Sequence, residues 1–137
     1  ETFSAIKGDG ANLNGEAITT SNTSILAESL LASGFPYDAW TNPNNNGEQW
    51  KNLLKKVVSL RSDGSAALDL CHVALGRIDG YWELDLEQWD IAAGALIVQE
   101  AGGKVSKING GPFSKNSRSI IATNGLIHEE LLTEINL

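Results

Sequence analysis

Two alanine-rich segments that are apolar on nearly every side constrain the fold of this 137-residue chain more than any other feature. They cover residues 65–77 and 90–101. Gly76 near the end of the first segment and Gly102 directly after the second are typical helix-terminating residues. A surface helix carries one apolar face, whereas a helix that is apolar all round is buried between layers. The pattern therefore predicts two buried helices, beginning at Ser65 and Asp90, within a layered α/β domain.

Shorter elements surround these two helices. Residues 78–86 alternate between apolar and polar side chains, which is typical of a strand. Helical spacing from Glu48 onward places several apolar residues on one face, namely Trp50, Leu53, Leu54, Val57 and Val58, and residues 57–61 are also a candidate lead into a strand. The other predictions are two short strands with their connection in 1–18, strands in 29–33, 104–108 and 118–123, and a helix over 126–135. This alternation of strands and helices favours an α/β fold.

The composition excludes several classes of protein. The chain carries 10 basic and 17 acidic residues, a net charge of −7, which argues against a nucleic-acid partner and a polybasic membrane anchor. Its longest apolar run, residues 91–98, is far shorter than the roughly 20 residues of a membrane span. A single cysteine excludes a disulfide framework and a cysteine-rich metal site.

The first residues, ETFSAI, resemble a strand and not a signal peptide, and the chain has no methionine. A chain that opens inside a strand suggests a processed product, a trimmed chain or one half of something larger. We therefore expect a cytoplasmic protein, with a plastid as the alternative if a preceding segment carried a transit peptide.

Asp90 allows two interpretations that do not exclude each other. Aspartate is a favoured N-cap residue, and it stabilises a helix start by about 1 kcal/mol. A carboxylate at a helix start in a cleft can also bind a hard cation such as Mg²⁺, which prefers oxygen ligands.

The segments around Asp90 resemble the inositol monophosphatase family along nearly the whole chain. WDIAAGALIVQEAGG (89–103) is similar to the family's Trp-Asp helix, which ends in Glu-Ala-Gly-Gly. GSAALDLCHVALGRIDGYWE (64–83) resembles the block before that helix. GDGANLNGEAI (8–18), GGPF (110–113) and IIATN (120–124) also resemble family segments, in the family's order.

The resemblance implies a fold and a division of the chain. The fold would be the C-terminal half of the layered αβαβα fold of the Mg²⁺-dependent, lithium-sensitive sugar phosphatases, with a mixed sheet flanked by helices. Residues 1–18 would be a hairpin of the N-terminal sheet, and residues 19–137 would be the C-terminal α/β domain. The family is commonly homodimeric, so a homodimer is expected.

The resemblance also implies an activity and its residues. The activity is Mg²⁺-dependent hydrolysis of inositol monophosphate by metal-activated water. Asp90 would be the catalytic residue and metal ligand, and Glu83 would contact a substrate hydroxyl. Gly64, Ser65 and Ala66 would lie against the substrate. Sister enzymes of the superfamily act on fructose bisphosphate, histidinol phosphate or adenosine bisphosphate, and these phosphomonoesters remain alternatives.

One family motif is absent from this sequence. The family's other metal ligands come from a glutamate and an Asp-Pro-x-Asp-Gly-Thr/Ser motif, and no Pro follows an Asp here. We therefore expect the isolated chain to be inactive and to need an N-terminal half, or a second copy, to complete the site. The competing hypothesis is a non-catalytic half-domain that binds such a partner.

The remaining candidates are expected to be structural. His72 and His128 fit no metal-ligand spacing, and Cys71 has no base near it in the sequence. The four tryptophans are expected to pack, and Trp89 to hold Asp90 in place. Tyr37 and Asp38 start the loop of residues 37–46. A plain loop is the simpler interpretation, and a contact with a cleft or a partner is the alternative.

Overall fold

The computed structural model describes residues 1–136, so Leu137, the last residue of the predicted 19–137 domain, lies outside it. The chain forms two separate sheets. The first is a three-stranded antiparallel sheet in the order β1-β2-β3. The second is five-stranded, in the order β5-β4-β6-β8-β7. The strands are β1 Phe3–Ile6, β2 Gly10–Leu13, β3 Glu16–Ala17, β4 Leu30–Ser33, β5 Ser59–Arg61, β6 Gly80–Leu84, β7 Lys104–Ser106 and β8 Ser119–Thr123.

The five-stranded sheet is mixed. Strand β4 runs parallel to both β5 and β6, whereas β8 runs antiparallel to both β6 and β7. Four α-helices accompany the sheets: α1 Gly47–Leu53, α2 Ala66–Ala74, α3 Gln88–Glu100 and α4 His128–Ile135. A short 3₁₀ helix, Leu26–Glu28, precedes β4. This architecture confirms the predicted α/β class with a mixed sheet flanked by helices.

Alternating side chains divide the core into two clusters on opposite faces of the five-stranded sheet. Tyr81 of β6 and Ile120 of β8 face the cluster that contains α2, α3 and Ala11 of the first sheet. Their neighbours Trp82 and Ile121 face the cluster that contains residues of α1 and α4. The layers therefore run sheet, helices, sheet, helices, with α2 and α3 between the two sheets.

Helices α2 and α3 approach each other closely because Gly94 lies at their contact. A Cβ atom at Gly94 would come within 2.6 Å of two side-chain atoms of Leu70. The buried positions of both helices are apolar apart from Asp69, as their composition predicts. Their burial is incomplete, however, because Leu68 of α2 and Trp89 of α3 are exposed, as are Ala92 and Ala93.

The structure corrects two predictions about helices. The helix predicted from Glu48 ends at Leu53, so Val57 and Val58 lie outside it. These β-branched residues lead into β5, whose pairing with β4 overrides the helical spacing. The last helix begins at His128 instead of Leu126, since the Asn124 side-chain oxygen accepts the Leu126 N–H in a turn.

Two of the four tryptophans do not pack as predicted. Trp40 is 96% exposed and Trp89 is 80% exposed, whereas Trp82 is fully buried. Trp50 lies between Phe35 and Trp82, with ring centroids 5.4 Å and 6.2 Å away. The prediction that Trp89 packs and so holds Asp90 is wrong, because the start of α3 turns this side chain outward.

No helix within residues 1–136 is long and apolar enough to cross a membrane.

Candidate functional site

The turn before α2 places three of the predicted site residues. Gly64 has a φ of +82°, a left-handed conformation that favours glycine. Ser65 is the N-cap, as predicted, and its hydroxyl accepts the Leu68 N–H at 3.4 Å. Ala66 is the first helical residue, so its N–H belongs to the first turn, where backbone donors lack partners within the helix. This helix start can therefore receive an anion.

Asp90 lies in the first turn of α3, but it is not the N-cap. The helix begins at Gln88, and Glu87 is its N-cap. The Oδ2 atom of Asp90 accepts the backbone N–H of Glu87 at 3.0 Å, so the aspartate stabilises the helix start from inside the first turn. Its Oδ1 atom has no hydrogen-bond partner within the described part of the chain. One oxygen thus stabilises the helix, and the other is free for a ligand.

Glu83 lies near the end of β6 and is half-buried. Tyr81, two residues earlier on the same face of the strand, donates its hydroxyl to Oε2 of Glu83. Burial raises the pKa of Glu83, the Tyr81 hydrogen bond opposes that rise, and the charge of Asp90 adds to it. Burial also raises the pKa of Tyr81, so the phenol keeps the proton that it donates.

Asp69 is a buried carboxylate, although its place in the sequence suggests a capping or surface role. It lies one turn into α2 with 2% of its surface exposed, and its Oδ1 atom has no partner within the described chain. Burial, followed by the charges of Asp63 and Glu83, raises its pKa to about 7. Its signal in the sequence is an acid placed between Leu68 and Leu70 in an otherwise apolar helix.

Carboxylates thus concentrate on one side of α2 and α3. Asp90 acts electrostatically on both Glu83 and Tyr81, and Glu83 acts on Asp69, so these groups lie close together. Such a set of oxygen ligands with mutual repulsion suits a divalent cation, which would relieve it. Asp63, Asp69 and His72 form a second group, whose ligand atoms lie within 4.8 Å of one another. The sequence spacing predicts no metal-ligand role for His72, and Asp90 is not part of this group.

The other candidates behave as structural residues. Cys71 is buried in the core, and burial raises the pKa of its thiol, so a nucleophilic role is disfavoured. His128 is buried and hydrogen-bonded on both ring nitrogens, at 3.0 Å to Ser106 and 3.0 Å to Thr123. Tyr37 and Asp38 lie in an exposed turn.

A cavity of about 390 Å³ lies elsewhere, between α1 and α4. Its lining includes Lys56 and Glu134 but none of the predicted site residues. This cavity therefore does not coincide with the residues predicted from the sequence, which lie at the starts of α2 and α3 and near the end of β6.

Comparison with known proteins extends the resemblance to specific relatives. The chain is 46% identical to the chloroplastic phosphatase IMPL1 of Arabidopsis thaliana, over 98% of this chain and 36% of the relative. It is also 46% identical to the inositol-1-monophosphatase of Synechocystis, over 96% of this chain and 46% of the relative. The chain thus spans half or less of the length of these relatives.

Solved structures agree with the fold. The inositol monophosphatase of Anabaena superposes with a TM-score of 0.94 and 43% identity, covering 98% of this chain and 53% of the other. The SaIMPase-II structure with bound inositol monophosphate gives a TM-score of 0.82 and 31% identity, covering 96% and 51%. The same protein has also been solved with bound 2′AMP. The sequence profile of the inositol monophosphatase family matches residues 1–136, and the chain belongs to that family.

Proposed function

We propose that this chain supplies the inositol-binding side and one metal ligand of a Mg²⁺-dependent phosphatase that hydrolyses inositol monophosphate. The observation that carries the proposal is the free Oδ1 of Asp90 beside the half-buried carboxylate of Glu83. A cation ligand next to a hydroxyl acceptor is the arrangement that a polyol phosphate requires. The family match and the relatives named as inositol-1-monophosphatases support it.

Each residue has a role in this proposal. Asp90 would hold Mg²⁺ through Oδ1, and the ion, when bound, would activate a water molecule and stabilise charge on the leaving oxygen. Glu83 would accept a hydrogen bond from an inositol hydroxyl and so orient the ring. The first turn of α2, at Ser65 and Ala66 after Gly64, would place backbone N–H groups against the phosphate dianion. The products are myo-inositol and inorganic phosphate, and the chain needs no covalent intermediate.

We expect the isolated 137-residue chain to be inactive, since it lacks the Asp-Pro-x-Asp-Gly-Thr/Ser motif of the family. The proposed partner is an N-terminal half of the family type, or a second copy of this chain. The exposed apolar side chains of Leu68 and Trp89, at the starts of α2 and α3, support such a covering segment. A non-catalytic half-domain that only binds this partner is the competing proposal.

Other phosphomonoesters are a second proposal for the substrate. A structural relative has been solved with bound inositol monophosphate and with bound 2′AMP, so that protein binds both a polyol phosphate and a nucleotide phosphate. Fructose bisphosphate, histidinol phosphate and adenosine bisphosphate are the related substrates to test beside inositol phosphate. Turnover of each at the same Mg²⁺ concentration would rank them.

Three further properties are proposed from the family. They are inhibition by lithium, a homodimeric assembly and a cytoplasmic location. A plastid location is the alternative, and one relative at 46% identity is named as chloroplastic. The acidic net charge of −7 supports a small-molecule substrate over a nucleic acid or a membrane surface.

The test is Mg²⁺-dependent phosphate release from inositol 1-phosphate. The chain is assayed alone, with its intact mass confirmed, and fused to the segment that completes the Synechocystis relative. We expect no release by the chain alone, release by the fusion, and a loss of at least 100-fold in the fusion with Asp90→Asn, since a ligand of the metal is removed. Near-normal turnover by this variant would refute the ligand assignment. Release by the unfused chain would refute its dependence on an N-terminal half.

A further inference from the structure

Tyr81 donates a hydrogen bond to the carboxylate of Glu83. The two residues are separated by one position on β6 and so share a face of the strand. Tyr81 is fully buried, and its hydroxyl donates to Oε2 of Glu83. A phenol fixed in the core has little rotational freedom, so this hydrogen bond restricts the carboxylate to one orientation.

Gly34 confines the same carboxylate from the side. A Cβ atom at position 34 would lie 2.4 Å from Cδ and from both carboxylate oxygens of Glu83. Any side chain at position 34 would therefore force the Glu83 carboxylate to move, although no positive φ requires glycine there. The glycine follows β4, and β4 is paired with β6, so the backbone of one strand borders the side chain of the other.

A buried amide fixes Gly34 in place. The Asn46 side chain donates to the Gly34 carbonyl at 2.7 Å and to the Ser33 hydroxyl at 2.7 Å. Its oxygen accepts the indole N–H of Trp82 at 2.6 Å, so every polar atom of the amide group has a partner. This network ties the end of β4 to β6 and keeps the Gly34 backbone against Glu83.

One oxygen of Glu83 remains available. Oε2 is bonded to Tyr81, whereas Oε1 has no hydrogen-bond partner in residues 1–136 and is not enclosed. We propose that Tyr81 and Gly34 are positioning residues that orient Glu83 so that Oε1 accepts a hydroxyl of a polyol phosphate. This inference rests on the proposed function. A pre-oriented acceptor avoids the cost of ordering a mobile side chain when substrate binds.

The first experiment compares Tyr81→Phe with Tyr37→Phe in the active fusion. The matched control makes the same chemical change at an exposed tyrosine that donates to no residue in the described chain. We expect Tyr81→Phe to lower kcat/KM for inositol 1-phosphate about tenfold, mainly through KM, since one hydrogen bond to a charged acceptor is lost. Turnover of p-nitrophenyl phosphate, which has no polyol, stays within about twofold.

Gly34→Ala should repeat this selective loss, because the added methyl group displaces the carboxylate. Thermal unfolding of every variant shows whether it is folded. An equal loss on both substrates would indicate a merely structural role and overturn the inference. So would an unchanged preference for inositol 1-phosphate.

A second measurement does not depend on turnover. The Glu83 carboxyl carbon is followed by ¹³C NMR against pH in the isolated chain, with Glu83→Gln to assign its signal. Burial and the charge of Asp90 favour the neutral form of Glu83, whereas the hydrogen bond from Tyr81 favours the charged form. Tyr81→Phe should therefore raise the pKa of Glu83, and Tyr37→Phe should leave it unchanged.

The two measurements separate the two proposals. If the fusion releases no phosphate from inositol 1-phosphate, the proposed function fails, and the titration still decides whether Tyr81 orients Glu83. A titration that is identical in Tyr81→Phe and the wild type overturns the positioning role whatever the substrate is.

Discussion

Asp69 and His128 are buried titratable residues that make stability depend on pH in opposite directions. Burial raises the pKa of Asp69 to about 7, above its value of 3.8 in an unfolded chain. Burial lowers the pKa of His128 from 6.5 to about 4, with the charge of Lys104 as a smaller cause. Acidification therefore stabilises the fold through Asp69 and destabilises it through His128.

We expect Asp69→Asn to stabilise the chain at pH 8, where the wild-type carboxylate is charged and buried without a cationic partner. The stability that the protonated Asp69 contributes is lost as pH rises through about 7. The advantage of the variant should accordingly shrink by about 2–3 kcal/mol between pH 8 and pH 5. Urea unfolding at both pH values measures it. Asp9→Asn is the control, because Asp9 is exposed and is not among the charges that act on Asp69. If the difference in unfolding free energy between Asp69→Asn and the wild type does not change with pH, the raised pKa of Asp69 is contradicted.

His128→Gln should remove the loss of stability on acidification. In the unfolded chain the imidazole takes up a proton below pH 6.5, whereas in the folded chain it stays neutral to about pH 4. Stability is therefore lost as pH falls through this window, by about 2 kcal/mol between pH 7 and pH 5. The variant is compared in the Asp69→Asn background, so that the opposing effect of Asp69 is absent. Parallel stability curves over this range would show that His128 does not cause the loss.

At the scale of elements, the start of α3 combines a helix cap with a candidate metal ligand. Glu87 and Asp90 exchange hydrogen bonds across the first turn: the Asp90 N–H donates to the Glu87 carbonyl at 3.1 Å, and the Glu87 N–H to Asp90 Oδ2 at 3.0 Å. Only one carboxylate oxygen takes part in this cap. The effect of Asp90 on helix stability and its proposed metal binding can thus be separated by comparing different substitutions of this residue.

Asp90→Ala should destabilise the isolated chain by about 1 kcal/mol, the usual effect of losing a cap. Asp90→Asn should cost less than half of that, since its amide oxygen can still accept the Glu87 N–H. Both variants should lose activity in the fusion, because neither carries a carboxylate. Thermal and urea unfolding give the stabilities. Equal destabilisation by Asn and Ala would show that the side-chain oxygen does not support the helix.

At the scale of the whole molecule, the layers leave two surfaces open. Strand β1 is at the edge of the three-stranded sheet, and no strand within residues 1–136 pairs with its outer side. Ile6 of that strand is exposed, as are Leu68 and Trp89 at the starts of α2 and α3. An unpaired edge and exposed apolar side chains together favour association with another chain or segment.

We expect the proposed N-terminal half to shield Trp89. Trp40 and Trp89 are the two strongly exposed tryptophans, so Trp40→Phe leaves Trp89 as the main target of iodide quenching. Quenching of the Trp40→Phe chain should fall when it is joined to the N-terminal segment. In Trp89→Phe, the quenching that remains comes mainly from Trp40 and should change little. An unchanged quenching constant in Trp40→Phe would place the covering segment elsewhere.

The sequence by itself determined the features that depend on near neighbours. The alternation of strands and helices, the Ser65 cap and the two apolar helices follow from residue spacing and local hydrogen bonding. The same motifs identified the family, which the sequence profile and the relatives confirm. The roles of Asp90, Glu83, Gly64, Ser65 and Ala66, and the division into residues 1–18 and 19–137, stay predictions.

Only the tertiary structure decided which side chains are enclosed and which atoms meet. The contact of Gly34 with Glu83 joins residues of two different strands, and the burial of Asp69 depends on how α2 packs. Trp89 looked like a core residue from its type alone, but the orientation of α3 leaves it outside. Burial and contact depend on elements that pair across long separations in sequence, and the spacing of residues within one element does not contain that information.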